Sequence, residues 1–182
     1  MPNTFLYSLA GMRACSEQAR DLFGSLTPEQ LNFCPEPKKW SVGQCLDHII
    51  VSNSTYEATL EALASGTYPR RWYYNRWLAA KSGSWLAESV SPKSKSKMPS
   101  PAVFHPAEAS DIPATIVGDF IKHNAAFIAT LERVAARNEP TVIISSPALS
   151  LLTYSVNDMF LMLANHEQRH INQAKRILHL LY

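Results

Sequence analysis

Proline placement limits what this chain can fold into more than any other feature, because a proline inside a helix removes a backbone hydrogen bond and clashes with the preceding turn. The 182 residues include 12 prolines, which leave four long proline-free windows at residues 3–27, 38–68, 114–139 and 148–182. Each window has room for a helix of roughly 20 residues, about 30 Å long. The spacing therefore predicts an all-α fold, a four-helix bundle. Within the second window, Ser41-Val42-Gly43-Gln44 fits a capping box and Trp40 occupies the N′ position of a hydrophobic staple, so a helix is expected to start near Ser41. In the last window Ser155 precedes Asp158 by three residues, a helix start with an early carboxylate, and the helix should run nearly to Tyr182. The third helix begins after Ser110, Asp111 and Pro113 and places Ile116, Phe120, Phe127, Leu131 and Val134 at helical spacing. The first is less regular, with Phe5, Leu9, Met12 and Leu22 sharing a buried side, and Thr27-Pro28-Glu29 caps a short extra turn.

The connector at residues 65–110 is too long for a helix hairpin, and loops of that length usually hold structure of their own. Residues 70–88 contain Trp72, Tyr73, Tyr74, Trp77 and Trp85. They are expected to form a short helix laid on the bundle, lining a pocket, joining a dimer surface or simply packing. Residues 91–97 read SPKSKSK, a polar stretch expected to be mobile. No repeat and no domain boundary interrupts the chain, so a single domain over residues 1–182 is expected.

Hydrophobic residues at 46% against charged residues at 18% exclude a disordered chain. A net charge of +2 is too small to drive nucleic-acid or anionic-membrane binding, so no nucleic acid and no membrane are expected as partners. Cys15, Cys34 and Cys45 form no metal-type pair, and their odd number argues against a disulfide framework. No Lys or Arg precedes the apolar N-terminal stretch, unlike a secretory signal, and the uncharged run at 141–157 is broken by Ser145, Ser146, Pro147 and Ser150. A soluble, cytoplasmic protein follows as the expectation.

With charge uninformative, the histidines carry the functional reading. His166 and His170 stand four apart on the last helix, one turn from each other on one face, a spacing that suits two ligands of one metal. At 100° per residue, Met159, Met162, Leu163, His170, Gln173 and Ile177 fall within about 60° of His166, so the pair faces inward, while Gln168, Lys175 and His179 fall on the far side. The same construction surrounds His48 with Ser41, Gln44, Cys45, Ser52, Thr55 and Thr59, small groups that leave room for an ion and a substrate. A bundle can bring His48 against His166 and His170. Three protein ligands leave coordination positions open, the pattern of catalytic metal sites. The competing reading is a set of core histidines satisfied by their neighbours.

The run His166-Glu167-Gln168-Arg169-His170 also fits H-E-x-x-H, in which the Glu is the general base of a zinc peptidase. The extended pattern would need Gly at Gln173 and His at Arg176, and only a short tail remains for a third ligand, which counts against that reading.

Trp40-Ser41-Val42-Gly43-Gln44 followed by His48, with His166-Glu167-Gln168-Arg169-His170 and then Gln173 near the end, resembles the DinB/YfiT-like superfamily over essentially the whole chain. The resemblance implies a four-helix bundle with a long crossover between helices 2 and 3, often a homodimer, holding a divalent metal on His48, His166 and His170. It further implies either a metal-dependent hydrolase or a transferase using a low-molecular-weight thiol of the bacillithiol or mycothiol type. Relatives commonly carry Glu at the position of Gln44. Loss of that carboxylate would alter the chemistry if it served the metal; alternatively Gln44 simply closes the capping box.

Three neutral histidines suit several transition metals, with zinc or nickel the expected ion. Such an ion lowers the pKa of bound water to about 7 for hydrolysis, or holds a thiol as thiolate. Gln173 is the candidate for orienting a ligand or water, with a core-edge amide as its alternative, and His123, on the apolar face of the third helix, is the candidate proton carrier, with a buried histidine bonded to a neighbour as its alternative. Glu167 is expected in a structural ion pair, Arg169 in a solvated or paired position with attraction of an anionic substrate as the alternative, and Cys45 as a small core residue. His105 supports no inference. A non-catalytic, stress-related bundle that binds a metal or small ligand is the alternative to an enzyme acting on a small-molecule substrate.

Overall fold

The computed structural model describes residues 3–37, 39–69, 71, 74–94, 110–147 and 149–181. Helices α1 (Asn3–Phe23), α2 (Pro28–Leu31), α3 (Val42–Ser54), α4 (Glu57–Ser65), α5 (Arg76–Ser89), α6 (Ile116–Ala136) and α7 (Val156–Leu178) dominate, with a small hairpin of β1 (Ile143–Ser145) and β2 (Thr153–Ser155) before α7. His105, Trp72, Tyr73, Tyr182 and residues 95–97 of the SPKSKSK stretch lie outside the described residues.

Three of the four proline-free windows hold one long helix each, and the expected starts are where the sequence puts them. Thr27 caps α2 and Ser41 caps α3, each with both halves of a capping box, and Ser155 Oγ accepts from the Asp158 backbone N–H at the start of α7. The aromatic connector does form a helix, α5, which Asn75 caps by accepting from the N–H groups of Trp77 and Leu78.

Two features depart from expectation. The second window holds two helices. At Thr55 and Tyr56 the ladder tightens to a three-residue step, Tyr56 N–H to Asn53 C=O, while Thr55 Oγ1 donates to Ser52 C=O. The run Ser52-Asn53-Ser54-Thr55 offers the backbone local partners that compete with the helix. The hairpin was also unexpected. It pairs Ile143 with Ser155, Ile144 with Tyr154 and Ser145 with Thr153, burying Ile144 and Tyr154.

Contact pairs fix the helix directions. Gly11 against Ala164, Cys15 against Gln168 and Gln18 against Lys175 make α1 and α7 parallel. His48 against His166 and Tyr56 against Met162 make α3 and α7 antiparallel. Gly43 against Ile112 and Glu61 against Arg133 show the α3–α4 arm and α6 running the same way.

The apolar interior divides into two clusters. One joins Phe5, Leu9 and Met12 of α1 to Leu60, Phe127, Leu131, Tyr154 and Phe160. The other joins Cys15, Ala19 and Phe23 to Leu46, Ile49, Ile116, Phe120, Ile171 and Ala174. Between them the helices carry buried polar groups: Ser52 and Asn53 on α3, Asn124 on α6, Glu167 and His170 on α7. No described helix is long and apolar enough to cross a membrane.

Candidate metal centre

The capping box sets where α3 begins and therefore which way His48 points. Ser41 Oγ accepts from Gln44 N–H at 3.1 Å, and Gln44 Oε1 accepts from Ser41 N–H at 3.0 Å. Gln44 thus closes the helix end as an amide can, the plainer of its two readings. Trp40, just outside the cap, lays its ring 4.7 Å from His48 and 5.6 Å from His170. It walls the histidines as well as packing on the adjoining apolar cluster.

Helix α7 presents His166 and His170 to the same place, with ring centroids 4.6 Å apart. His48 lies 5.0 Å from the first and 4.4 Å from the second. Ligand nitrogens from all three lie within 4.8 Å of one another. The Nε2 atoms of His48 and His166 are 3.1 Å apart. Two nitrogens bound tetrahedrally to one zinc at the usual bond length would stand about 3.3 Å apart, so the observed pair already has a ligand-like spacing.

Electrostatics keep the two α7 rings in the form a metal needs. Burial pushes His166 down to about 3, with His48 and Arg169 adding to the effect. Burial also lowers His170 well below its ordinary value, as do His166, His48 and Arg169, while Gln173, as an acceptor for the ring, opposes the shift. Neutral imidazole is the ligand form. The Nδ1 of His170 is buried with no hydrogen-bond partner. Orphaned buried polar atoms are rare in folded proteins and call for an explanation. Three converging imidazoles, two of them held neutral by burial, and one such nitrogen fit a divalent cation.

The other expected residues are placed as follows. Gln173 is next to His170, one turn on. His123 is not part of the converging group: its ring stacks on Phe127 at 5.8 Å, its Nε2 is buried without a partner, and burial lowers its pKa against the opposing pull of Glu57. A bonded neighbour for that nitrogen, the alternative raised from sequence, is therefore not found. Arg169 donates to Ser89 C=O at 2.7 Å, holding the end of α5. Cys45 is a buried core residue whose thiol pKa is pushed up by burial, and His179 is exposed.

Glu167 requires a correction. It forms no salt bridge among the described residues: it is fully buried, Oε1 accepts from Asn53 Nδ2 at 2.7 Å, and Oε2 accepts from Asn124 Nδ2 at 3.3 Å. Burial raises its carboxyl to about 8 despite both amides. The peptidase reading loses support here, because the glutamate that would act as base is committed to two amides. Asn53 and Asn124 were missed from sequence; their signal is an asparagine in a helix interior, where the side chain has no local advantage.

A family model described as the DinB superfamily matches residues 12–174. No curated protein and no solved structure matches the chain. The match covers all of α3 and α7 as far as residue 174, all three histidines included, and the chain belongs to the DinB superfamily.

Proposed function

We propose that this chain is a divalent-metal-dependent enzyme acting on a small molecule, either a hydrolase or a transferase using a low-molecular-weight thiol. The supporting observation is the convergence of three imidazoles, on His48, His166 and His170, with His170 Nδ1 lacking any partner. These residues would hold zinc or nickel, an ion able to acidify a bound water or thiol. The chain's own part is to keep the His166 and His170 rings neutral by burial, to fix α3 through the Ser41–Gln44 cap, to wall the rings with Trp40 and to orient His170 through Gln173. In this reading His123 serves at most as a proton carrier outside the ligand set.

The reading includes one domain folded as a four-helix bundle, made of α1, the α3–α4 arm, α6 and α7, with the crossover running from the arm to α6; the parallel run of the arm and α6 supports it. It includes a homodimer, which sedimentation would test, and a cytoplasmic location, in keeping with three free cysteines. A second reading, a metal- or ligand-binding bundle without turnover, is favoured by one observation: Glu167, the acid that adjoins His166 in sequence, is bound by two amides.

Elemental analysis of protein purified without a metal-affinity column, followed by esterase and thiol-transfer assays on the same sample, separates the two. About one metal per chain is expected, with loss of occupancy in His166→Ala. Metal without turnover in either assay would favour the binding protein, and metal-free protein that takes up no zinc or nickel would end the metal reading in both.

A further inference from the structure

Ser52 is 5% exposed, and its Oγ is buried with no hydrogen-bond partner. A buried hydroxyl without a partner is costly, because it has given up its hydrogen bonds to water and gained none in exchange. It lies one turn beyond His48 on the same face of α3. The antiparallel course of α3 and α7 defines what lies opposite. On one side of Ser52, the Nε2 atoms of His48 and His166 meet at 3.1 Å. On the other, Tyr56 OH reaches Met162 Sδ at 4.0 Å. Ser52 therefore faces α7 between His166 and Met162, a small side chain in a layer bounded above and below by large ones.

We propose that Ser52 Oγ is a binding group for the ligand held at the three-histidine site. This rests on the metal reading above and adds a substrate class to it. Three neutral imidazoles leave a dication's charge uncompensated in poorly solvated surroundings, which favours an anionic ligand. The site takes a small molecule that gives one atom to the metal and carries, two or three bonds away, an anionic oxygen that accepts from Ser52.

The test uses zinc-loaded full chain and two probes, mercaptoacetate and ethanethiol, which share a thiol for the metal and of which only the first carries the anionic oxygen. Calorimetric titration is made on wild type, Ser52→Ala, Ser52→Thr and Ser8→Ala. Among the described residues, Ser8 carries the other buried hydroxyl without a partner, on α1, which supplies no candidate ligand. Ser52→Ala is expected to retain its zinc and to lose roughly tenfold in mercaptoacetate affinity, as for one hydrogen bond to an anion, with ethanethiol affinity unchanged. Ser52→Thr should keep the preference for mercaptoacetate, and Ser8→Ala should change neither affinity. Equal mercaptoacetate affinity in wild type and Ser52→Ala overturns the proposal. So does an equal loss for both probes, which marks packing or a buried water. Wild type that takes up no zinc sinks the metal reading itself, and its failure is seen before any probe is added.

Discussion

Glu167 adjoins a candidate ligand, yet its chemistry belongs to the protein interior. The carboxyl titrates at about 8 when folded and at 4.5 in an unperturbed chain. The native state therefore binds the extra proton between those values. Its contribution to stability is fully present below the unfolded value and is lost as pH rises through the folded one. Chelator-treated Glu167→Gln should lose the part of the fall in urea midpoint that wild type shows between about pH 5 and 9; parallel pH profiles for the two proteins would contradict the assignment. Trp40 supplies an independent probe. With its ring 4.7 Å from His48, nickel or copper loading should quench tryptophan emission, and Trp40→Phe should abolish most of that quenching. At this scale the ligands are legible because His48, His166 and His170 each occupy the inward face of a regular helix. Asn53 and Asn124 are not, because their role depends on the levels at which α3, α6 and α7 meet, which no single helix's periodicity contains.

Elements are as legible as their end signals are local. The Ser41 and Ser155 caps lie within four residues of sequence, and both helices start there. The break between α3 and α4 involves no proline or glycine, only four consecutive polar residues whose competition with the helix is a matter of degree. Each strand of the hairpin has only three residues, too short for a two-residue period to stand out. Ser41→Ala would remove half of the capping box and should cost about 1 kcal/mol in denaturant unfolding. The same change frees the first turn under Trp40, so weaker metal binding should accompany it. Gly83 is set by a neighbour: a Cβ there would overlap the Asp158 carboxylate, which itself accepts from Ser155 Oγ. Gly83→Ala should therefore lower stability by about 1–3 kcal/mol through forced displacement of α5 from α7, although alanine is the better helix former. Stabilisation on that change would mean that α5 does not sit so close.

Across the whole molecule, the polar belt separates two apolar halves and leaves buried oxygens without partners on Ser52, Asn53 and Asn124. The metal ligands belong to the same level, two from α7 and one from α3, so a bound cation would tie the antiparallel pair together where hydrophobic contact is thinnest. Binding to the folded form alone stabilises by mass action, about 2.7 kcal/mol at a free metal concentration one hundred times Kd. For a chain of this length that corresponds to a rise of roughly 5–10 °C in Tm. Zinc or nickel added to chelator-treated protein should produce such a shift, and His166→Ala should abolish it. Because the cation adds a link without changing what is exposed on unfolding, the urea midpoint should move while the slope of the transition stays constant. An equal shift in His166→Ala would place the stabilising metal elsewhere in the chain, and the belt would then have to be held by buried water alone.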